Sequence, residues 1–174
     1  MRGMTTKPEY IIQCLSLYNE IEVKLICSVT GKGVALFKSP KIGLEEGNNP
    51  YIAILNCDSG KIYQACETYD SETTQTIMNL IREKFIIPEG DESLFYIIFV
   101  GLHEAGHWYD YHNRRSWYNQ NINDDGNCTA EEYRNRPLEK SADDFALEHF
   151  EEAWNELNSR LFHNMLEPLE KQID

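Results

Sequence analysis

The sequence has no basic run. Its nearest approaches are Arg114–Arg115 and, further on, Arg134 and Arg136, in a chain of 174 residues with a formal charge of −13. Phosphate backbones and anionic headgroups are held by a local excess of Lys and Arg. Nucleic acid and anionic membrane are therefore not expected as partners, whereas a basic or neutral protein is compatible with this balance. No Cys-x-x-Cys pair is present either: Cys14, Cys27, Cys57, Cys66 and Cys128 are odd in number and scattered. That excludes a disulfide framework and a cysteine-built structural zinc module. The longest apolar run, Leu94–Val100 with Gly101–Leu102, falls far short of the ~20 residues that span a bilayer. Lys7–Pro8–Glu9 interrupts any apolar run near the start, so no signal peptide is expected and the cytoplasm is the expected compartment. Internal repeats and low-complexity linkers are also missing.

What is present suits one soluble domain with a proper core. Apolar residues make up 41% and charged residues 26%, ordinary values for a globular protein. A first amphipathic helix is expected from about Pro8 to Glu20, carrying Ile11, Ile12, Leu15 and Tyr18 on one side. "VALFKS" (34–39) and "YIAILN" (51–56) read as strands, and "CDSG" (57–60) as a turn returning "KIYQAC" (61–66) as a hairpin partner. A second helix fits Ser71–Phe85, with Ser71 and Glu72 able to cap it. "IPEGDES" (87–93) is a breaker-rich loop. From Ser93 to about Asn113 the pattern is helical, apolar all round at first and polar from His103 onward. A polar loop is expected over 116–130. A long last helix begins near Pro137, with Leu138, Ala142, Phe145, Ala146, Phe150, Ala153, Leu157 and Leu161 as its apolar stripe. The predicted class is α+β: a small sheet with helices grouped around it, strands in about 1–90 and helices in about 91–174.

The chemistry lies in "LHEAGHWYDYHNRRSW" (102–117). At ~100° per residue His103 and His107 stand about 40° apart on a helix, one turn separated. Two imidazoles so placed can share one tetrahedral zinc, and Glu104 beside them can take a proton from a water that the metal polarises. Ala105 and Gly106 leave room for another element to approach closely. A hydrolytic zinc needs a third protein ligand. Glu139 and Asp143, four apart in "RPLEKSADDFALEHF" (136–150), can both point inward from the last helix. Glu139 is the preferred ligand, with Glu131, Glu132 and Glu148 as alternatives, and Asp143 can accept a hydrogen bond from a ligating histidine.

"HEAGH" followed by "EKSADDFA" resembles the gluzincin pattern, His-Glu-x-x-His then Glu-x-x-x-Asp, and within it the ImmA/IrrE family of zinc peptidases. The resemblance covers about residues 95–150. It implies a zincin-like fold and one zinc per chain held by His103, His107 and Glu139. It also implies Glu104 as catalytic base, with Asp143 at the family's Asn/Asp position and Ala142, Phe145 and Ala146 at its helix-packing positions. The implied substrate is a specific regulatory protein, such as a repressor of a mobile element, and the implied reaction is peptide hydrolysis. Two stretches depart from the family pattern. "HWYDYHNRRSWY" replaces an aliphatic run, and faintly resembles the zincin domain of ArdC-type antirestriction proteins. The connection from His107 to Glu139 is also long, 31 residues (108–138).

An oxyanion donor is needed across the cleft, and Tyr111, Tyr118, Tyr133 and His149 are the candidates. The aromatics Trp108, Tyr109, Tyr111, Trp117 and Tyr118 read as core packing before substrate binding. "NINDDGNCTAEE" (121–132) has the oxygen spacing of a calcium loop, but Asn121 stands first and "RRSWYNQ" makes a poor incoming helix. A solvated Asx-Gly loop accounts for the same letters. A non-catalytic protein-binding module with structural zinc is the alternative to the peptidase.

Overall fold

A computed structural model describes residues 23–26, 35–38, 51–122 and 128–170. The expected helix at Pro8–Glu20 lies outside them. Three strands, β1 (Val23–Ile26), β2 (Ala35–Lys38) and β3 (Tyr51–Leu55), form one sheet in the order β1-β3-β2. β1 runs parallel to β3, with Val23 opposite Ile52, and β2 antiparallel, with Ala35 opposite Ile54. Alternation along β3 buries Ile52 and Ile54 on one face, as the two-residue strand period requires. Among the described residues six helices follow: α1 (Ser59–Tyr69), α2 (Ser71–Lys84), α3 (Glu92–Asn113), α4 (Arg115–Asn121), α5 (Ala130–Arg134) and α6 (Pro137–Glu170). The molecule is mostly helical with a small sheet, compatible with the expected α+β class.

Two local expectations are corrected. "KIYQAC" is not a strand but the middle of α1. Asp58 in the supposed turn is an N-cap, its carboxylate accepting from Gly60 N at 2.9 Å. Ile62 and Cys66 are then buried together at helical spacing, which outweighs the alternation that six residues also allow. Segment 116–130 is not all loop. "RSWYNQN" forms α4, and Thr129 opens α5 through a capping box with Glu132. The Thr-x-x-Glu spacing at 129–132 is the sequence sign of that start. It also gives Glu132 a partner, since its carboxylate accepts from Thr129 N at 2.8 Å. Residues 123–127 of the supposed calcium loop lie outside the described residues. α2 starts at Ser71 as expected, with Asp70 rather than Ser71 in the N-cap position.

α3 is the central element. Every residue from Ser93 to His103 is buried, in keeping with its apolar circumference, and its flanks are covered by β3, α1, α2 and α6. α6 lays Ala146, Phe150, Ala153 and Leu157 into the same core, where Phe95 meets Phe150 and Trp154. Among the described residues no helix is long and apolar enough to cross a membrane.

The closest approach of α3 and α6 is at Gly106. A Cβ there would lie 2.8 Å from Ala142 Cα and 3.0 Å from Phe145 Cβ. Alanine is the better helix former by ~1 kcal/mol, but the obstructing atom is backbone and cannot rotate away. Overpacking of this kind costs about 1–3 kcal/mol, so the clash decides the sign. Gly106→Ala is expected to lower stability by roughly 1–2 kcal/mol in a denaturant melt, and a variant as stable as the parent would contradict this packing.

Candidate metal centre

Where α3 turns polar, it meets the first turns of α6. His103 and His107 project from successive turns of α3, Glu139 and Asp143 from successive turns of α6, and all but His107 are buried, His103 and Glu139 at 6% exposure and Asp143 at 8%. His103 Nε2 lies 3.1 Å from His107 Nε2 and 3.2 Å from Glu139 Oε2, and His107 Nε2 lies 3.5 Å from Glu139 Oε1. Three groups with one facing atom each thus converge on a single point, an arrangement that can hold a metal ion. The edge of a tetrahedron with ~2.0–2.1 Å metal–ligand bonds is about 3.3 Å, close to the 3.1 Å between the imidazole nitrogens and the 3.2 Å from His103 Nε2 to Glu139 Oε2.

The hydrogen bonding supports the same fit. His103 Nδ1 stands 2.8 Å from Asp143 Oδ1. A carboxylate can only accept, so Nδ1 carries the hydrogen, and a neutral ring then turns its Nε2 lone pair to the centre. Glu139 Oε2 is buried and makes no hydrogen bond, an orphan acceptor of the kind a cation satisfies.

Protons compete for this centre. Burial pulls the His103 imidazole down, but the bond to Asp143 and the contact with Glu139 outweigh it and push the ring up to about 9. Burial would raise the Glu139 carboxyl, yet the two facing imidazoles hold it well below the usual carboxylate range. In the metal-free chain an imidazolium at His103 therefore stands in for the cation, and a metal must displace its Nε2 proton.

The other sequence candidates divide. Glu104 is half-buried, near enough for its charge to act on both His103 and Tyr133. Tyr133, from α5, is 43% exposed as a residue, while its hydroxyl lies near enough to the Glu139 carboxylate for that charge to act on it. Burial of that hydroxyl and the Glu139 charge push its ionisation up. Tyr111 and Tyr118 are buried in a separate cluster with Leu138, their rings edge to face at 5.5 Å, and Arg115 covers the Tyr111 ring. His149 packs its ring against Phe145. Of the alternatives to Glu139, Glu131 and Glu148 are exposed and Glu132 caps α5.

No family model, no curated protein and no solved structure matches this chain. The chemistry rests on the geometry of the site.

Sequence reading missed Arg134. Its guanidinium bonds Asp143 Oδ1 through Nη2, and Nη1 lies 3.8 Å from Glu139 Oε2. The only signal was a cation five residues ahead of two inward carboxylates in an acidic chain. Asp110, one turn beyond His107, was missed as well. It is 1% exposed and bonds Arg114, which reaches on to Ser141 and clips α3 to α6.

The raised His103 value sets a stability trend. A folded-state value above the ordinary 6.5 stabilises fully below pH 6.5, and the contribution is lost as pH rises through about 9. With chelator present, resistance to denaturant is expected to fall across that window and zinc affinity to rise. His103→Gln should flatten the stability profile, and a parent profile already flat would show that His103 carries no extra proton.

Proposed function

We propose that the chain is a zinc-dependent metallopeptidase that hydrolyses a peptide bond in a specific protein substrate, such as a regulator of a mobile element. The observation that carries this reading is the buried convergence of His103, His107 and Glu139, with His103 backed by Asp143. Two imidazoles and one carboxylate suit zinc and leave further coordination positions to water and substrate.

Bound there, zinc supplies Lewis acidity toward a carbonyl oxygen and toward water. His103, His107 and Glu139 hold it, and with two neutral rings and one carboxylate the set keeps a net positive charge. Glu104 takes a proton from the attacking water as the water oxygen bonds to the carbonyl carbon. It then returns that proton to the leaving amine as the C–N bond breaks. Tyr133 is the hydroxyl positioned to donate to the developing oxyanion, exchanging its contact with Glu139 for one with substrate. Asp143 fixes the tautomer and aim of His103 throughout.

Purified protein is expected to carry about one zinc per chain. Glu104→Gln should retain that zinc and lose cleavage of the substrate. Tyr133→Phe should retain zinc and lower kcat by roughly 10- to 1,000-fold with a smaller change in KM, the range for loss of one oxyanion donor. Cleavage by Glu104→Gln at the parent rate would end the mechanism. A zinc-loaded chain that binds a protein partner intact, equally well with Glu104→Gln, would replace it with a binding role.

A further inference from the structure

Among the described residues Arg134 is a cation at ion-pair distance from the metal-holding set. It comes from α5, not from the two helices that carry the ligands, and its side chain is 13% exposed. One arm of the guanidinium bonds Asp143 Oδ1, the same oxygen that takes His103 Nδ1–H. The other arm lies at ion-pair distance from Glu139 Oε2, but that oxygen makes no hydrogen bond. The guanidinium thus spans two carboxylates one helical turn apart while leaving the inward oxygen of Glu139 open. The neighbouring arginines are engaged elsewhere: Arg114 bonds Asp110 and Ser141, and Arg136 reaches Cys128 and the Tyr133 ring.

We propose that Arg134 is a positioning residue of the metal centre, whose guanidinium pins Asp143, and through it His103, and offsets the Glu139 charge without occupying its ligating oxygen. Planar Arg suits this task because its donors are fixed in a fork that can address two carboxylates together. Four acidic or imidazole groups crowded into a buried site repel or drift unless their charges and lone pairs are matched. A guanidinium behind Asp143 removes that freedom before the metal arrives. Two adjacent residues of α5 then act on the site in different ways, Tyr133 toward Glu139 and Arg134 toward Asp143. This inference rests on the metal centre of the proposed function but not on its hydrolytic step.

The test is zinc affinity by competition with a chromogenic chelator, together with the visible absorption of the cobalt(II)-loaded protein. The variants are Arg134→Gln and Arg134→Lys, with Arg160→Gln as a control because Arg160 pairs with Glu156 within α6 itself. Loss of a group that orients a metal ligand typically weakens binding about 10- to 100-fold. Arg134→Gln is expected in that range, with altered cobalt bands, and Arg134→Lys is expected to recover part of the affinity while staying about threefold or more below the parent. The control should match the parent in both. Zinc binding by Arg134→Gln as tight as the parent's or tighter, with an unchanged cobalt spectrum, overturns the inference and leaves Arg134 a bystander cation. Should that variant not fold, Arg134→Lys decides: a deficit of about threefold or more with altered cobalt bands supports positioning, and parent values in both overturn it. A weakened Arg134→Gln in a protein that cleaves no peptide keeps this inference and removes only the peptidase. A parent chain that binds neither zinc nor cobalt removes both.

Discussion

The structure depends on two helices touching backbone to backbone. Gly106 has no room for a Cβ because Ala142 Cα occupies the place, and that contact fixes the distance between α3 and α6 at the level of the site. His103 and His107 flank Gly106 on one helix, and Glu139 and Asp143 flank Ala142 on the other. Side chains of imidazole and carboxylate length can meet only if their backbones come this close. A larger residue at either position would separate donors whose facing atoms now lie 3.1–3.5 Å apart.

The approach has an electrostatic consequence. It gathers Glu139, Asp143 and two imidazoles into a volume closed by the apolar core. Ionised groups in such surroundings are strongly disfavoured unless each has a partner. The site meets this demand in layers. Asp143 is shared between His103 and Arg134, and Glu139 faces both rings. What makes no hydrogen bond is the inward oxygen of Glu139, although it lies at ion-pair distance from His103 and Arg134. An acceptor left without a hydrogen bond among satisfied neighbours is one that a cation could satisfy.

Long periodic segments and the local metal spacing were legible in the sequence. The limits of α3, the start of α6 and its apolar stripe follow from 3.6-residue periodicity over many turns. Gly106 and Ala105 signalled close approach because nothing else explains small residues between two polar ligands at a core boundary. Short segments were less legible. Over "KIYQAC" strand and helix patterns coincide, and the capping role of Asp58 decided between them. α4 and α5 have too few turns for a periodic signal, and a five-residue helix has little stability of its own. Arg134 was invisible for another reason. Its partners Asp143 and Glu139 lie on the next helix, so its role exists only once α5 folds back onto α6.

The site draws on helices of unequal anchoring. Its ligands sit on the two most deeply anchored helices, whose side chains are held by packing over several turns. Tyr133 and Arg134 sit on a helix that depends on its capping box and on its contacts with the carboxylates of α6. The ligand geometry is therefore set by the core, while the charge and hydrogen bonding around it are set by an element that the site itself holds in place. In that arrangement α5 and the centre stabilise each other. The bond from Arg134 to Asp143 also holds in place the short helix that carries Tyr133, next to it in sequence. Two adjacent residues of α5 thus reach the two carboxylates of α6, while α3 and α6 are set by the core.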